Sequence, residues 1–315
     1  MYSKSQIFRP VALRVLIELY KTMNKLLYIV ICILLSGLLI SCGNKTKKRE
    51  SDEKNESKSA ENKITEYIII NASQVYLSEF ETDKDGYIIL FDGKEMKGWR
   101  GYGKEIIPAN WTVDDGAIKI KGAGGGEAQD TDGGDLIFAY KFKNFELELE
   151  YKVSKGSNSG IFFLAQEVKS RDPKTGELRM EPIYISSPEA QILDNENHPD
   201  AKLGKDNNRQ SMSLYDMIPA VPQNAKPHGE WNKAKIIVYK GTVIHCQNDK
   251  NVVEYHLWTQ QWTDMIQESK FSSKKWPLAF ELLKNAGGSK REGYIGFQDH
   301  GDDVWFRNIR IKVLD

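Results

Sequence analysis

From Tyr87 to Val313 the chain is a succession of short apolar runs, broken at every few residues by Gly, Asp or Asn. The run Phe145-Glu146-Leu147-Glu148-Leu149-Glu150-Tyr151 shows the period: apolar and charged residues alternate, as they must on a strand with one buried face. Similar runs lie at Tyr87–Phe91, Trp111–Val113, Ala117–Ile120, Asp135–Phe138, Ile161–Gln166, Glu189–Leu193, Lys235–Tyr239, Val243–Gln247, Val252–His256, Tyr294–Gln298 and Trp305–Val313. Lys240-Gly241 and Asn248-Asp249 read as two-residue hairpin turns. Only Trp262–Lys270 reads as a helix. So many strands and one short helix predict an all-β fold, two antiparallel sheets packed as a sandwich or jelly roll.

The N-terminus predicts where such a domain works. Met23-Asn24-Lys25 precedes an apolar run, Leu26 to Ile40, which ends at Leu39-Ile40-Ser41-Cys42. The run is short for the roughly 20 residues that a spanning helix needs, so a secretory signal is expected, with an uncleaved anchor as the alternative. It resembles a bacterial lipoprotein signal. That resemblance implies translation from Met23, lipidation of Cys42 and a place in the cell envelope, facing the periplasm or on the outer membrane. Residues 1–42 are then a signal segment. Residues 43–63, rich in Lys, Glu, Ser and Asn, are expected to be a flexible linker, and 64–315 a single domain.

Charge and cysteine content exclude some classes. A net charge of +0 and a pI near 7.0 argue against a nucleic-acid partner, which selects a basic face. No Gly-rich fingerprint opens a strand–helix unit, so no nucleotide cofactor is expected. With Cys32 in the signal and Cys42 at its end, Cys246 is left without a partner and reads as a small buried hydrophobe.

The stretch Glu189-Ala190-Gln191-Ile192-Leu193-Asp194-Asn195-Glu196-Asn197-His198-Pro199-Asp200 is the candidate site. If Ala190 and Ile192 face a core, Glu189 and Gln191 point together to the other side, and a loop dense in acids follows. The same alternation predicts Ile295 and Phe297 in the core with Tyr294 and Gln298 opposite. It also predicts Ile244 and Cys246 in the core, with His245 and Gln247 on the open face. Such a polar face suits a polyhydroxylated ligand. Asp194, His198 and Asp200 offer mixed oxygen and nitrogen donors for a divalent metal ion.

Several motifs together carry a family resemblance. They are Leu90-Phe91-Asp92-Gly93-Lys94 with Gly98-Trp99, Trp111-Thr112-Val113-Asp114-Asp115-Gly116, Gly156-Ser157-Asn158-Ser159-Gly160-Ile161-Phe162, the Glu189–Asp200 stretch, Leu214-Tyr215-Asp216, Gly229-Glu230-Trp231-Asn232 and Gly296-Phe297-Gln298-Asp299-His300-Gly301. From Tyr87 onward the chain is similar to the 3-keto-disaccharide hydrolase family. The resemblance implies a concanavalin-like jelly-roll sandwich acting on glycosides already oxidised to a ketone at C3. A sugar 3-oxidoreductase is the implied pathway neighbour.

A C3 ketone acidifies the C2 hydrogen, so a general base can remove it and the enolate can expel the C1 substituent by β-elimination. Water addition to the enone gives hydrolysis, and release without addition makes a lyase. Glu189 and His300 are the candidate catalytic residues, as base or acid and as proton donor or enolate ligand. Gln191, Asp194, Arg209, Tyr215 and Gln298 are candidate sugar contacts. Trp258, Trp262 or Trp305 is a candidate ring platform, and Asp216 is either a substrate contact or a buried structural acid. The main alternative is a non-catalytic glycan-binding lipoprotein. A third reading is a conventional retaining glycosidase built on Glu146-Leu147-Glu148-Leu149-Glu150, for which an amphipathic strand is the simpler account.

Overall fold

The computed structural model describes residues 65–72, 74–122 and 133–315. The signal, Cys42 and linker expectations fall outside the described residues. In chain order the first strands are β1 (Tyr67–Ile70), β2 (Ile88–Ile89), β3 (Trp99–Gly101), β4 (Trp111–Asp114), β5 (Ala117–Ile120), β6 (Leu136–Phe138), β7 (Phe145–Val153) and β8 (Asn158–Ala165). They are followed by β9 (Glu167–Arg171), β10 (Leu178–Met180), β11 (Glu189–Leu193), β12 (Asn232–Tyr239), β13 (Thr242–Gln247) and β14 (Lys250–His256). Two short helices, α1 (Gln260–Glu268) and α2 (Pro277–Lys284), precede β15 (Tyr294–Phe297) and β16 (Val304–Val313).

Two antiparallel sheets form the sandwich. One runs β11-β8-β15-β6-β3, the other β14-β13-β12-β7-β16-β5-β4 with β2 added against β16. A small sheet, β1-β9-β10, stands beside them. The alternation in β7 puts Phe145, Leu147, Leu149 and Tyr151 inside, opposite Ile161, Phe163, Ile192 and Phe297 of the facing sheet. The Phe297 and Phe306 rings stack 4.0 Å apart between the sheets. Burying side chains of this size stabilises by roughly 1.5–3 kcal/mol each, which makes the register of these strands costly to slip.

Both expected hairpin turns form. Lys240 and Gly241, and Asn248 and Asp249, all take positive φ, the geometry whose twist matches the flanking strands. The helix expected near Trp262–Lys270 is α1, capped by the Thr259 hydroxyl. The second helix, α2, hid in a short apolar run: Leu278, Ala279, Leu282 and Leu283 are buried on one face, behind Pro277 in the first turn.

Strand β13 corrects the face expected for it. His245 and Gln247 point into the sandwich and Ile244 away from it. The interior is polar there: Gln247 accepts from the Tyr151 hydroxyl and donates to Gln223 and Asn224. His245 Nδ1 lies 3.0 Å from the Met212 carbonyl oxygen, so Nδ1–H donates to it, and burial keeps the ring neutral.

A pH effect follows from that burial. Desolvation pushes the His245 pKa down to about 4, against about 6.5 in the unfolded chain. The unfolded state therefore binds a proton that the folded state refuses. This contribution to stability is complete above pH 6.5 and is lost as pH falls toward 4. Urea unfolding should show a loss of about 2 kcal/mol from this group between pH 7 and pH 5, and His245→Asn should flatten the slope by that amount. An unchanged slope in the variant would contradict the assignment.

Candidate active site

Antiparallel partners share a face, so the register of β11, β8 and β15 assembles the site. Gln191 pairs with Gly160 and Leu193 with Asn158, while the Gln298 N–H donates to the Gly160 carbonyl at 3.0 Å. Glu189, Gln191, Asn158, Gly160 and Gln298 therefore line the outer face of the five-stranded sheet, behind the core residues Ala190, Ile192 and Phe297. Glu189 is 6% exposed and Gln191 1%. The Glu189 carboxylate lies over Gly160, where a Cβ would collide with its Oε1. A side chain at position 160 would have to displace that carboxylate. Among the described residues, Asn158 Oδ1 and Gln298 Oε1 are buried acceptors without a hydrogen-bond partner. Buried acceptors in that state are unusual, and sugar hydroxyls are donors of the right kind for them. Gln191 Oε1 accepts instead from the Ile192 N–H at 2.9 Å.

His198 and His300 meet at the end of this face, their rings edge to face at 5.8 Å. With Asp302 they form a potential metal-coordinating cluster, one donor atom from each lying within 4.8 Å of the others. Asp302 Oδ2 also accepts the Asn158 N–H, tying the cluster to β8. Burial and the adjacent His300 push the His198 pKa down, so its ring is neutral near pH 7. The donor types suit a divalent ion. One hydrogen bond opposes that use: His198 Nδ1 accepts the Asp200 N–H at 3.1 Å. The remaining nitrogen then carries the proton of the neutral ring, and ligation through it requires losing either.

The other two expected metal ligands are placed elsewhere. Asp194 locks the turn after β11, accepting from Gly156 N–H, Asn197 Nδ2 and Glu196 N–H. Burial raises its pKa, but these donors outweigh burial and hold it below the usual range. These bonds give Asp194 a structural role in the turn. Asp200 turns its carboxylate to Arg209, at 2.7 Å, and to the Tyr215 hydroxyl, at 2.9 Å. Arg209 Nε reaches Asp216 Oδ1 at 2.7 Å. Asp216, in the left-handed region at φ 60°, also accepts the Lys270 N–H. Arg209 and Asp216 are thus internal braces. Tyr215 adjoins Glu189, its N–H donating to the Glu189 carbonyl, and burial with the Glu189 and Asp200 charges pushes its pKa up.

Trp305 is not brought to the site. Val304 and Phe306 are buried, so the intervening Trp305 faces outward on the larger sheet, bonded to Asp114 and flanked by Lys119 and Lys152. Trp262 is core, and Trp258 donates to the Ala286 carbonyl under Arg291. Glu146, Glu148 and Glu150 share that far face, paired with Lys235, Arg310 and Arg307. A groove of about 710 Å³ crosses it, but its Glu148, Glu150, Lys235 and Arg310 walls neutralise one another or their neighbours. An amphipathic strand, not a nucleophile pair, explains this segment. Asp302 is a residue of the histidine cluster that sequence reasoning missed. The His-x-Asp spacing from His300 was the available signal.

The family model for the 3-keto-alpha-glucoside-1,2-lyase-like domain matches residues 86–312. A 3-keto-disaccharide hydrolase of Bacteroides thetaiotaomicron is 65% identical over 293 residues, covering 93% of this chain and all of that protein. A crystal structure carrying a provisional glycosyl hydrolase assignment, from Parabacteroides distasonis, superposes with a TM-score of 0.57 at 25% identity. It covers 73% of this chain and 95% of its own. The chain belongs to the 3-keto-alpha-glucoside-1,2-lyase-like family.

Proposed function

We propose that this protein cleaves 3-keto-glycosides by elimination, as a hydrolase or lyase. The observation that carries this reading is the buried Glu189 carboxylate seated over Gly160, with unpartnered acceptors on Asn158 and Gln298 beside it. The relative's activity on a 3-keto-disaccharide supports the substrate class. Glu189 takes the C2 proton. The electron pair forms the enolate, whose charge rests on the C3 oxygen, and His300 with His198 stands where N–H donors can hold that charge. Collapse of the enolate breaks the bond from C1 to its oxygen, the departing oxygen takes a proton, and water adds across the enone when hydrolysis completes. If a divalent ion is bound, His300 and Asp302 would hold it, and it would withdraw charge from the enolate oxygen.

Export and anchoring through Cys42 belong to the same reading, supported by the basic residue, apolar run and Ser41-Cys42. The test assays envelope fractions with a 3-keto-disaccharide and its unoxidised parent, with and without chelator, for the full chain and Cys42→Ala. Cleavage of the keto sugar alone is expected, moving to the soluble fraction in the variant. Chelator sensitivity would assign an ion to His300 and Asp302. Cleavage of neither sugar, with glycan binding retained, would overturn the enzyme in favour of a binding module.

A further inference from the structure

Lys270 is held in a cage of rings. Its Nζ lies 4.5 Å from the Tyr215 ring centre, 5.0 Å from Phe271 and 5.2 Å from Tyr184. Among the described residues no carboxylate comes within ion-pair distance of this ammonium, and Lys270 is half-buried. The cage is fastened to Glu189 from two sides. Tyr215 donates its N–H to the Glu189 carbonyl, and Tyr184 sits in the single-turn helix Ile183–Ile185 that leads through Ser186, Ser187 and Pro188 into β11. Trp276 packs edge to face on Tyr184 at 5.9 Å, closing the far wall. The backbone at Lys270 is fixed as well, because its N–H donates to Asp216 Oδ2 at 2.8 Å.

A cation over aromatic faces keeps its charge without a counter-ion and keeps its N–H donors for other acceptors. The Arg209 braces explain why the arrangement is rigid: Asp216 positions Lys270 and Asp200 positions Tyr215, and Arg209 joins the two acids. We propose that Lys270 and the Tyr184–Tyr215 wall form the subsite for the leaving group, and that this subsite selects an oxygen-rich aglycone, a second sugar ring, over a small or apolar one. The inference rests on the elimination reading above. In it the glycon lies over Gly160 and the aglycone extends toward the cage, its hydroxyls accepting from the Lys270 ammonium.

The test compares two substrates, a 3-keto-disaccharide and methyl 3-keto-glucoside, for the wild-type chain, Lys270→Met and Lys270→Arg. The readout is the ratio of kcat/KM for the disaccharide to kcat/KM for the methyl glycoside. Loss of a charged hydrogen bond to the second ring should lower this ratio about tenfold or more in Lys270→Met, mainly through the disaccharide KM. Lys270→Arg should keep most of it. A ratio unchanged in Lys270→Met, with both substrates affected alike, would overturn the subsite. A wild-type chain that cleaves neither substrate would overturn the elimination reading, and the subsite with it.

Discussion

Glu189→Gln should lower turnover of a 3-keto-glycoside by about 10²–10⁴-fold, the usual share of a positioned general base, while leaving unfolding midpoint and sugar affinity in place. The substitution removes the base and leaves its shape. Glutamine has the length and shape of glutamate, so it can occupy the same space over Gly160 and keep the Tyr215 N–H on its own carbonyl. It cannot accept the C2 proton. The contacts proposed for Asn158, Gln298 and Lys270 are untouched, so the defect should fall on kcat with little change in KM. Gly160→Ala supplies the complementary perturbation: the base keeps its chemistry but is pushed aside by the new methyl group, and kcat should again fall. Wild-type turnover in Glu189→Gln would move the base elsewhere on this face and remove the main chemical premise of the site.

The sandwich was legible because its strands each bury one face, and two-residue periodicity is a strong signal over seven residues such as Phe145–Tyr151. The same rule put Glu189, Gln191 and Gln298 on one side correctly. It failed at β13, where the buried positions are His245 and Gln247, because a polar network inside the sandwich satisfies them and hydrophobicity then misreports the inside. The acid-rich loop after β11 was visible, but its division of labour was not. Asp194 and Asp200 carry the same group as Asp302, and only their partners, backbone N–H groups for one and Arg209 with Tyr215 for the other, reveal that neither joins the two imidazoles. Trp305 failed for a related reason. A tryptophan on an alternating strand declares a face, yet which sheet that face belongs to is set by pairing some 150 residues away, with Lys152. The Lys270 cage had no sequence signal, since its rings come from three separate segments.

Breaking the Arg100–Glu167 pair should destabilise the fold by about 3–5 kcal/mol. Arg100, on β3, meets Glu167, on β9, through two parallel bonds of 2.6 and 2.9 Å, and Gly103 N–H adds a third donor to the carboxylate. The two side chains are 7% and 1% exposed, so neither charge can fall back on water when the other is removed. Glu167→Gln leaves a buried guanidinium facing a neutral amide, and Arg100→Met leaves a buried carboxylate. Each should lower the unfolding free energy measured in urea by the stated amount. The double variant Arg100→Met with Glu167→Met should recover part of the loss, because an apolar pair avoids the desolvation cost that the ions carry while the Gly103 N–H loses its acceptor. Single changes costing less than about 1 kcal/mol would mean that the pair is solvated in practice. The consequence reaches the site through the chain itself. β9 follows the Gly160 strand after Gln166 alone, and β10 leads by way of Tyr184 into Glu189. In the single variants, then, the ratio of disaccharide to methyl glycoside cleavage should fall under mild denaturant before the sandwich unfolds, since the segment that loosens first is the one that carries the aglycone wall.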